Sequence, residues 1–548
     1  MKKGFRNAVI AVILLLAAGI YYYVTLPALN IHSAGCWFFV MSLILIVMII
    51  YALRKAVKEQ AFSGAWEEMR RKGTIQLKFD NVLKALGILL VAIFAIYLIG
   101  DLLSSPIINA RKYQQLLTVE ERVFTEDVAE VDYTTIPILD KSSAALLGDR
   151  KMGSMVEMVS QFEVSSDYAQ INYNGRPVRV TPLRYASAIK WLTNQKEGIP
   201  AYILIDMTTQ DTECVKLESG IKYSKSEYFN RNLYRHLRFH YPTHIFDDQI
   251  FFEINEEGTP FWVCPVKKFN IGLFGGQTIG SVVLCNAITG ECTEYDIEDV
   301  PQWIDKVYSA ELLTNLYDYY GTLKHGYFNS ILGQRDCLQT TNGYNYIALD
   351  DDVWVYTGVT SVSGDQSNVG FVLMNQRTME TRYYKIEGAI EDSAMSSAEG
   401  QVQNLGYRAT FPLLLNIAGE PTYFMALKDD AGLVKKYAMV NVQKYQWVAI
   451  GDTIRECEKN YNELLNTNGI VGSSADSMLT VRGKIEAIAP VVLEGTTHYY
   501  ICLENKEDIF DIDMSQEDLI GIVRYKEGDT IKLTYVEGYG LNAVRSIE

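Results

Sequence analysis

Cysteine and histidine are the residue types in this sequence whose spacing suggests chemistry. Eight cysteines occur, and Cys285 and Cys292 flank six residues that have the pattern of a β-hairpin turn. Cysteines that face each other across a hairpin are close enough for a disulfide. We therefore predict that this pair can form a disulfide, with two buried free thiols as the alternative. The sequence has no Cys-x-x-Cys spacing of the kind typical of zinc sites and thiol exchange.

Three histidines follow one another at intervals of four: His236, His240 and His244, with Asp247 shortly after. A spacing of four stacks two side chains on one helix face, and imidazole with carboxylate suits zinc or iron. Pro242 interrupts the helix before the third histidine, so the three need not converge. We predict no metal site and no cofactor, and the candidate ligands, if any, are His236, His240 and Asp247.

Sequence motifs of known catalytic sites are missing. There is no Gly-x-Ser-x-Gly elbow, no His-Glu-x-x-His helix and no P-loop. The triplet Asp350, Asp351 and Asp352 lacks the spacing of a calcium loop, which favours a solvated turn. We predict no catalytic residues and a non-enzymatic protein, with an envelope enzyme of unrecognised site as an alternative.

The charge distribution restricts the partners. The 548 residues carry a formal charge of −16. Residues 1–84 hold 11 Lys and Arg against 4 Asp and Glu, whereas the remainder holds 39 against 62. Nucleic acid binding needs a concentrated basic face. A large acidic body therefore predicts that nucleic acid is not a partner.

Three apolar runs, at 8–26, 36–53 and 85–103, are each 18 or 19 residues long, which is enough to cross a bilayer as a helix. Basic residues precede the first run, none lies in 27–35, and eight lie in 54–84. By the positive-inside rule, we predict a multi-pass protein of the cell membrane with a cytoplasmic N-terminus, a cytoplasmic loop 54–84 and residues 104–548 extracytoplasmic. The first run could instead be a cleaved signal peptide.

After residue 104 the sequence alternates short aromatic strands with single helices, which indicates an α+β fold. We predict helices at 152–162, 182–194, 228–239, 301–320, 393–404 and 453–465. Residues 282–297 and 371–386 align without a gap at seven of sixteen positions, including Asn286 with Asn375. Fainter copies start at Pro200 and Pro421. The resulting units are 107–225, 226–325, 326–392 and 393–465, after a membrane anchor at 1–106.

The second unit resembles PepSY domains, which are small helix-plus-hairpin modules of protease propeptides and extracytoplasmic bacterial proteins. The resemblance rests on the predicted helix at 228–239, on Pro260 and Trp262, and on the turn Thr289–Gly290. The third unit departs from it, with Met379 in place of the turn glycine. The resemblance implies an inhibitory or interaction domain and brings no catalytic residues. The whole chain also resembles an uncharacterised family of Gram-positive multi-pass membrane proteins.

The C-terminal segment 478–548, after a linker at 466–477, resembles an OB-fold, with five strands and a helix between the third and fourth. It holds 7 basic and 13 acidic residues, so we predict a docking or spacer barrel rather than a nucleic-acid module. The sequence thus predicts a membrane-anchored extracytoplasmic scaffold or binding protein of the cell envelope, with the lipid bilayer and an envelope protein or peptide as partners. The alternative is a PepSY-like inhibitor or regulator of an envelope protease.

Overall fold

The computed structural model describes residues 3–58, 81–130, 136–137, 139–349, 351–362, 367–468, 478–493, 496–506, 508–514, 517–536 and 542–547. Most of the predicted loop 54–84 and of the predicted linker 466–477 lies outside these ranges. The α-helices within them are α1 (Lys3–Thr25), α2 (Ala34–Lys58), α3 (Asn81–Ser104), α4 (Pro106–Gln114), α5 (Phe124–Asp127), α6 (Lys141–Ser154), α7 (Ala188–Asn194), α8 (Leu233–His240), α9 (Ala310–Thr322), α10 (Glu391–Gln401) and α11 (Ile454–Thr467).

Two of the described helices are long and apolar enough to cross a membrane, at Ala34–Lys55 and Asn81–Ser104. Helix α1 contributes a shorter apolar stretch, Val12–Thr25. Few of the described side chains of α2 and α3 are buried, as is typical of helices whose apolar surface faces lipid rather than a protein core. These helices are compatible with a membrane-associated protein.

Four antiparallel sheets share one plan, in which four main strands pair in chain order as a meander. The strands are β3 (Ala169–Tyr173), β4 (Arg176–Tyr185), β5 (Ile199–Asp206) and β6 (Thr212–Ile221) in the first sheet; β7 (Phe251–Ile254), β8 (Pro260–Ile271), β9 (Gly275–Asn286) and β10 (Cys292–Asp296) in the second; β12 (Asn345–Leu349), β13 (Asp352–Ser361), β15 (Gly370–Asn375) and β16 (Thr381–Tyr384) in the third; and β19 (Leu413–Ile417), β20 (Glu420–Lys428), β21 (Val434–Asn441) and β22 (Val448–Gly451) in the fourth. Helices α6, α8, α9 and α10 precede the four meanders in turn.

Short strands extend or join these sheets: β1 (Glu120–Arg122), β2 (Phe162–Val164), β11 (Leu338–Thr340), β14 (Ser367–Asn368), β17 (Gly388–Ala389) and β18 (Arg408–Ala409). Strand β1 pairs in parallel with β16, so the chain passes along the third sheet before it forms the first. The mixture of helices and antiparallel sheets agrees with the predicted α+β class.

The same turn closes the last hairpin of each meander. Its first residue is Asp206, Asn286, Asn375 or Asn441, and the side-chain Oδ1 of each accepts the backbone N–H groups two and three residues later. Asp and Asn favour this position because their short side chains can mimic a backbone turn. The aligned segments 282–297 and 371–386 correspond to the β9–β10 and β15–β16 hairpins, so the repeat seen in the sequence is a repeated hairpin.

Alternation along the strands places the second and the third sheet each between two cores. In β8, Trp262 and Cys264 face the first sheet, whereas Val263 faces α9 and the third sheet. In β13, Val355 faces α9, whereas Trp354 and Tyr356 face the fourth sheet. Successive sheets therefore share a core, with α9 between the second sheet and the third.

An ion pair between a buried lysine and a half-buried aspartate joins the fourth unit to the first. Asp140 caps α6 by accepting the Ser143 N–H at 2.9 Å and accepts a hydrogen bond from Lys428 Nζ at 2.6 Å. Burial raises the pKa of Asp140, but the bonds from Lys428 and Ser143 outweigh it and bring the pKa to about 2. A carboxyl group whose pKa is lowered by folding stabilises the fold above its unfolded pKa of 3.8 and loses this effect as the pH falls through its folded pKa.

We expect Asp140→Asn to destabilise the protein near neutral pH and to lose this effect in acid. The difference in unfolding free energy from the wild type should shrink as the pH falls from about 4 to about 2, because the wild-type carboxyl is then protonated. Chemical denaturation at a series of pH values measures it. In a protein that already carries Lys428→Met, the Asp140→Asn substitution should give a smaller pH-dependent change in stability. An equal change would mean that a group other than Lys428 lowers the pKa of Asp140.

The C-terminal strands form a unit with its own core around Ile485, Ile501 and Phe510. They are β23 (Met478–Leu493), β24 (Thr496–Leu503), β25 (Ile509–Asp513), β26 (Thr530–Val536) and β27 (Asn542–Ile547). Their pairings run in the closed order β23–β24–β25–β27–β26, and β26 returns to β23. A 3₁₀ segment, Glu517–Arg524, lies between the third and fourth strands.

Two predicted helices are displaced. The helix expected at 152–162 overlaps α6 only at residues 152–154, because Asp140 caps α6 at its start and the chain turns after Ser154 towards β2. The helix expected at 182–194 starts only at Ala188, after the Ser187 cap, because the preceding residues continue the buried strand β4. The other four predicted helices overlap α8, α9, α10 and α11.

Candidate functional site

Helix α8 presents two different faces because of its length and its caps. Asn232 caps its start by accepting the Arg235 N–H, and the helix ends before Pro242. Leu233, His236 and Leu237 are buried on one face. The spacing of three and four residues places His236 among core side chains, and the opposite face meets α1.

The β9–β10 hairpin places two cysteines side by side. Cys285 and Cys292 are direct partners across the antiparallel pair. The Asn286 N–H donates to the Glu291 carbonyl at 2.9 Å, so the cysteine pair next to it occupies a non-hydrogen-bonded position. Side chains are closest at such positions, where Cα atoms lie about 4.5 Å apart. Both cysteines are free thiols in this structure.

His236 meets the two cysteines. A ring nitrogen of His236 and the sulfur atoms of Cys285 and Cys292 all lie within 4.8 Å of one another. The carbonyl oxygen of Gly290, in the hairpin turn, accepts a hydrogen bond from His236 Nε2 at 2.7 Å. Cys285 is fully buried, His236 is nearly so, and Cys292 is half-buried. We call His236, Cys285 and Cys292 the His–Cys cluster.

Hydrogen bonding within the cluster polarises the two thiols. The hydrogen bond between the two thiols lowers the pKa of Cys292 to about 5. His236 lowers this pKa further, and burial opposes both effects. The same hydrogen bond, together with burial, raises the pKa of Cys285. Burial lowers the pKa of His236, but its bonds to Cys292 and Gly290 raise it by more. The arrangement can hold a thiolate beside an imidazole, which suits metal binding or disulfide formation.

The other predicted metal ligands go elsewhere. The His240 ring packs against the His236 ring at a tilt of 47°, with ring centres 4.2 Å apart, and its Nδ1 bonds to the His236 carbonyl oxygen. His244 pairs with Glu294 at 3.0 Å. Asp247 pairs with Lys267 at 3.3 Å, so it does not join His236. Of the candidate ligands His236, His240 and Asp247, only His236 belongs to the cluster.

Sequence reasoning found the two cysteines but missed their histidine. The hairpin spacing revealed that Cys285 and Cys292 face each other. Nothing local connects them with His236, which lies 49 residues earlier on a different element. The contact depends on how α8 packs against the second sheet, which no short motif encodes.

A second group of ionisable side chains is fully enclosed. Glu253 accepts the backbone N–H groups of Asp305 and Lys306, both at 3.0 Å, and Asp305 accepts the Asn172 N–H at 2.6 Å. Lys306 Nζ lies 4.2 Å from the centre of the Tyr346 ring. Glu253, Asp305 and Lys306 are 0%, 1% and 4% exposed. These deeply buried side chains join three units.

The body contacts one end of the apolar helices. Leu29, in the loop between α1 and α2, donates its N–H to the Pro242 carbonyl at 2.8 Å. Arg238 Nε donates to the Leu26 carbonyl at 3.1 Å. At the end of α3, Ser104 Oγ accepts the N–H of Leu273 at 2.8 Å, at the tip of the β8–β9 hairpin. A cavity of about 350 Å³ lies at this junction, between Leu26, Leu237 and Ile250.

Comparisons with known proteins do not place the chain in a family. No family model matches it, and no curated protein matches it. Among solved structures, a crystal structure of an ACO/RPE65 chimera aligns with a TM-score of 0.14 and 7% identity. The alignment covers 72% of this chain and 66% of that one, just under two thirds of its length. We draw no conclusion about fold or activity from this likeness.

Proposed function

We propose that the protein is a membrane-anchored, non-catalytic scaffold or binding protein of the cell envelope. In this proposal three N-terminal helices cross the membrane, the N-terminus is cytoplasmic and residues 104–548 are extracytoplasmic. The observation that carries it is the attachment of the folded body to one end of the helices. The α1–α2 loop and the end of α3 both bond to the body, through Leu29 and Ser104.

The charge of the loops fits this attachment. Helices α2 and α3 have 25 and 24 residues, which corresponds to about 36 Å at 1.5 Å per residue. The segment that joins them, 54–84, therefore starts and ends far from the body. It carries eight basic residues, whereas 27–35 carries none. The positive-inside rule assigns the basic segment to the cytoplasm and the body to the other side.

Aromatic rings concentrate at the end of the helices that meets the body, as they do where membrane helices reach the headgroups. The rings in contact there are Tyr21, Tyr22, Tyr23, Trp37, Phe38, Phe39, Tyr97, Phe239 and Phe274. Arg235 stacks over the Tyr23 ring with its guanidinium carbon 4.8 Å from the ring centre. An amphipathic belt of this kind supports a body that rests on the membrane surface.

The four units and the terminal strands are proposed as interaction modules. PepSY-like character for the units is supported by the helix that precedes each four-stranded meander. OB-like character for 478–548 is supported by five strands with a helical segment between the third and fourth. The acidic balance of this last segment favours a protein over a nucleic acid as its partner.

Some of the described sheets have an edge strand with which a strand of a partner protein could pair. Strands β6, β10 and β22 each pair on one side only. An extended peptide can add to such an edge through backbone hydrogen bonds. The aromatic strands at 261–263 and 353–356, by contrast, lie in the interior of their sheets, with Trp262 and Trp354 each 1% exposed. The proposed docking therefore uses sheet edges and not these aromatic faces.

We expect a photo-crosslinking residue at Glu218, exposed on the edge strand β6, to capture a discrete envelope protein or peptide in intact cells. The same residue at Gln403, which is exposed but not on a strand edge, is the matched control. Mass spectrometry identifies the adduct. Capture of nothing, or equal capture at both positions, would contradict a binding role for this edge.

A protease applied to intact cells without a cell wall tests the proposed topology in parallel. An epitope at the C-terminus should be digested, whereas an epitope inserted within 54–84 should survive until the cells are lysed. The reverse pattern would overturn the proposed orientation. A protease as the captured partner, inhibited on binding, would favour the alternative role of envelope protease regulator.

A further inference from the structure

We propose that His236, Cys285 and Cys292 form a three-ligand site for a transition-metal ion, with Zn²⁺ as the ion whose preferences they match. Zinc is bound in proteins by thiolate sulfur and imidazole nitrogen, at about 2.3 Å and about 2.0–2.1 Å. Three donor atoms within 4.8 Å of one another need shifts of about 1 Å or less to reach the separations of about 3.5–3.8 Å that a tetrahedral zinc site requires. The inference is independent of the proposed binding function.

The supporting backbone holds the donors in place. Asn286 Oδ1 accepts the N–H groups of Ile288 and Thr289, which fixes the turn between the cysteines. Gly290 has a φ of +77°, and a Cβ atom there would collide with the Tyr223 ring, so the turn admits only glycine. The Gly290 carbonyl oxygen then bonds to His236 and orients its ring beside the two sulfur atoms. A site held by such supports is preorganised for an ion.

The donor set distinguishes a metal site from a simple disulfide. A disulfide is complete with the two cysteines, whereas a metal ion also uses the imidazole nitrogen as a ligand. A zinc site with three protein ligands commonly leaves the fourth position for water or another ligand. Within the described residues the cluster has three members. Cys292 lies on the edge strand β10 and is only half-buried, which gives an ion a route to the site.

The test is metal binding by the purified full chain in detergent, after reduction and removal of bound metal. We expect one equivalent of Zn²⁺ per chain by elemental analysis after dialysis. Co²⁺ in place of Zn²⁺ should give the absorption of a tetrahedral thiolate complex. Cys292→Ser and His236→Asn should each lower the affinity at least tenfold, because each removes a ligand. Cys214→Ser, at a half-buried cysteine outside the cluster, should bind as the wild type does.

Several results would overturn the site. The reduced wild type could take up no Zn²⁺, or Cys292→Ser and His236→Asn could bind as tightly as the wild type. The protein isolated from membranes could also contain a Cys285–Cys292 disulfide and bind Zn²⁺ only after reduction. That result would mean that the two cysteines form a disulfide and not a metal site. Thermal unfolding of each variant in metal-free buffer checks folding, so that a loss of binding is not a loss of structure. Because this assay uses purified protein, its failure leaves the crosslinking and topology tests unaffected.

Discussion

Replacement of Glu253 by alanine is expected to lower the free energy of unfolding by about 3–5 kcal/mol, the usual cost of breaking a buried charged network. The variant removes the acceptor of two backbone N–H groups, those of Asp305 and Lys306. Each buried donor left without a partner costs about 1–3 kcal/mol. The Lys306 ammonium, 4% exposed, also loses a neighbouring carboxylate.

The pH dependence of this network has a defined sign. Burial raises the pKa of Glu253 to about 7, against the lowering effects of the Asp305 N–H and of Lys306. A carboxyl group whose pKa is raised by folding contributes stability below its unfolded pKa of 4.5, and this contribution decreases as the pH rises through its folded pKa. Burial lowers the pKa of Lys306 to about 8, so this group loses its contribution as the pH falls from 10.5 through 8.

Chemical denaturation of the detergent-solubilised protein at neutral pH measures the Glu253→Ala effect. Glu257→Ala, in the exposed turn that follows the same strand, is the matched control and should change stability by about 0.5 kcal/mol or less. An effect of Glu253→Ala as small as that of the control would mean that the enclosed charges do not hold the three units together.

The long apolar helices and the repeated hairpins were accessible from the sequence because their signals are local. The apolar runs at 36–53 and 85–103 lie within α2 and α3. The aligned Asn286 and Asn375 begin the same turn in two units, since a short amide side chain can bond to the backbone just after it. Met379, which stands where the second unit has Gly290, adopts a φ of +66°, so the turn geometry is kept without the glycine.

Contacts between distant segments were not accessible. The His–Cys cluster joins α8 to the second sheet, and the Glu253 network joins three units. Asp352 shows the same gap most clearly. It was predicted to lie in a solvated turn, but it is 5% exposed, because it is the first residue of the central strand β13. The acidic triplet itself does not indicate that Asp352 pairs with Arg377, which lies 25 residues later in the chain.

The ion pair between Asp352 and Arg377 gives the second large expected effect. Arg377 Nε and Nη2 donate to the two carboxylate oxygens at 2.7 and 2.8 Å, and Asn375 Nδ2 donates to one of them at 2.8 Å. The Arg377 side chain is 18% exposed. Bidentate geometry at a buried site makes the pair strong, and removal of one partner leaves an uncompensated charge.

We expect Arg377→Met to lower the free energy of unfolding by about 3–5 kcal/mol, as measured by chemical denaturation of the full chain in detergent. Arg408→Met is the matched control, because Arg408 makes a 3.0 Å pair with Glu399 but is 80% exposed. Exposed pairs contribute about 0–1 kcal/mol, so the control should change stability little.

The double variant Asp352→Asn with Arg377→Met separates the pair from its surroundings. The amide that Asp352→Asn introduces is neutral and needs no cation beside it. The double variant should therefore be more stable, by about 1–3 kcal/mol, than the sum of the two single effects predicts. Simple additivity would mean that the two side chains act on stability independently. In that case the turn that begins at Asn375, which bonds both to Asp352 and to the Arg377 N–H, would be the element that stabilises this end of the third sheet.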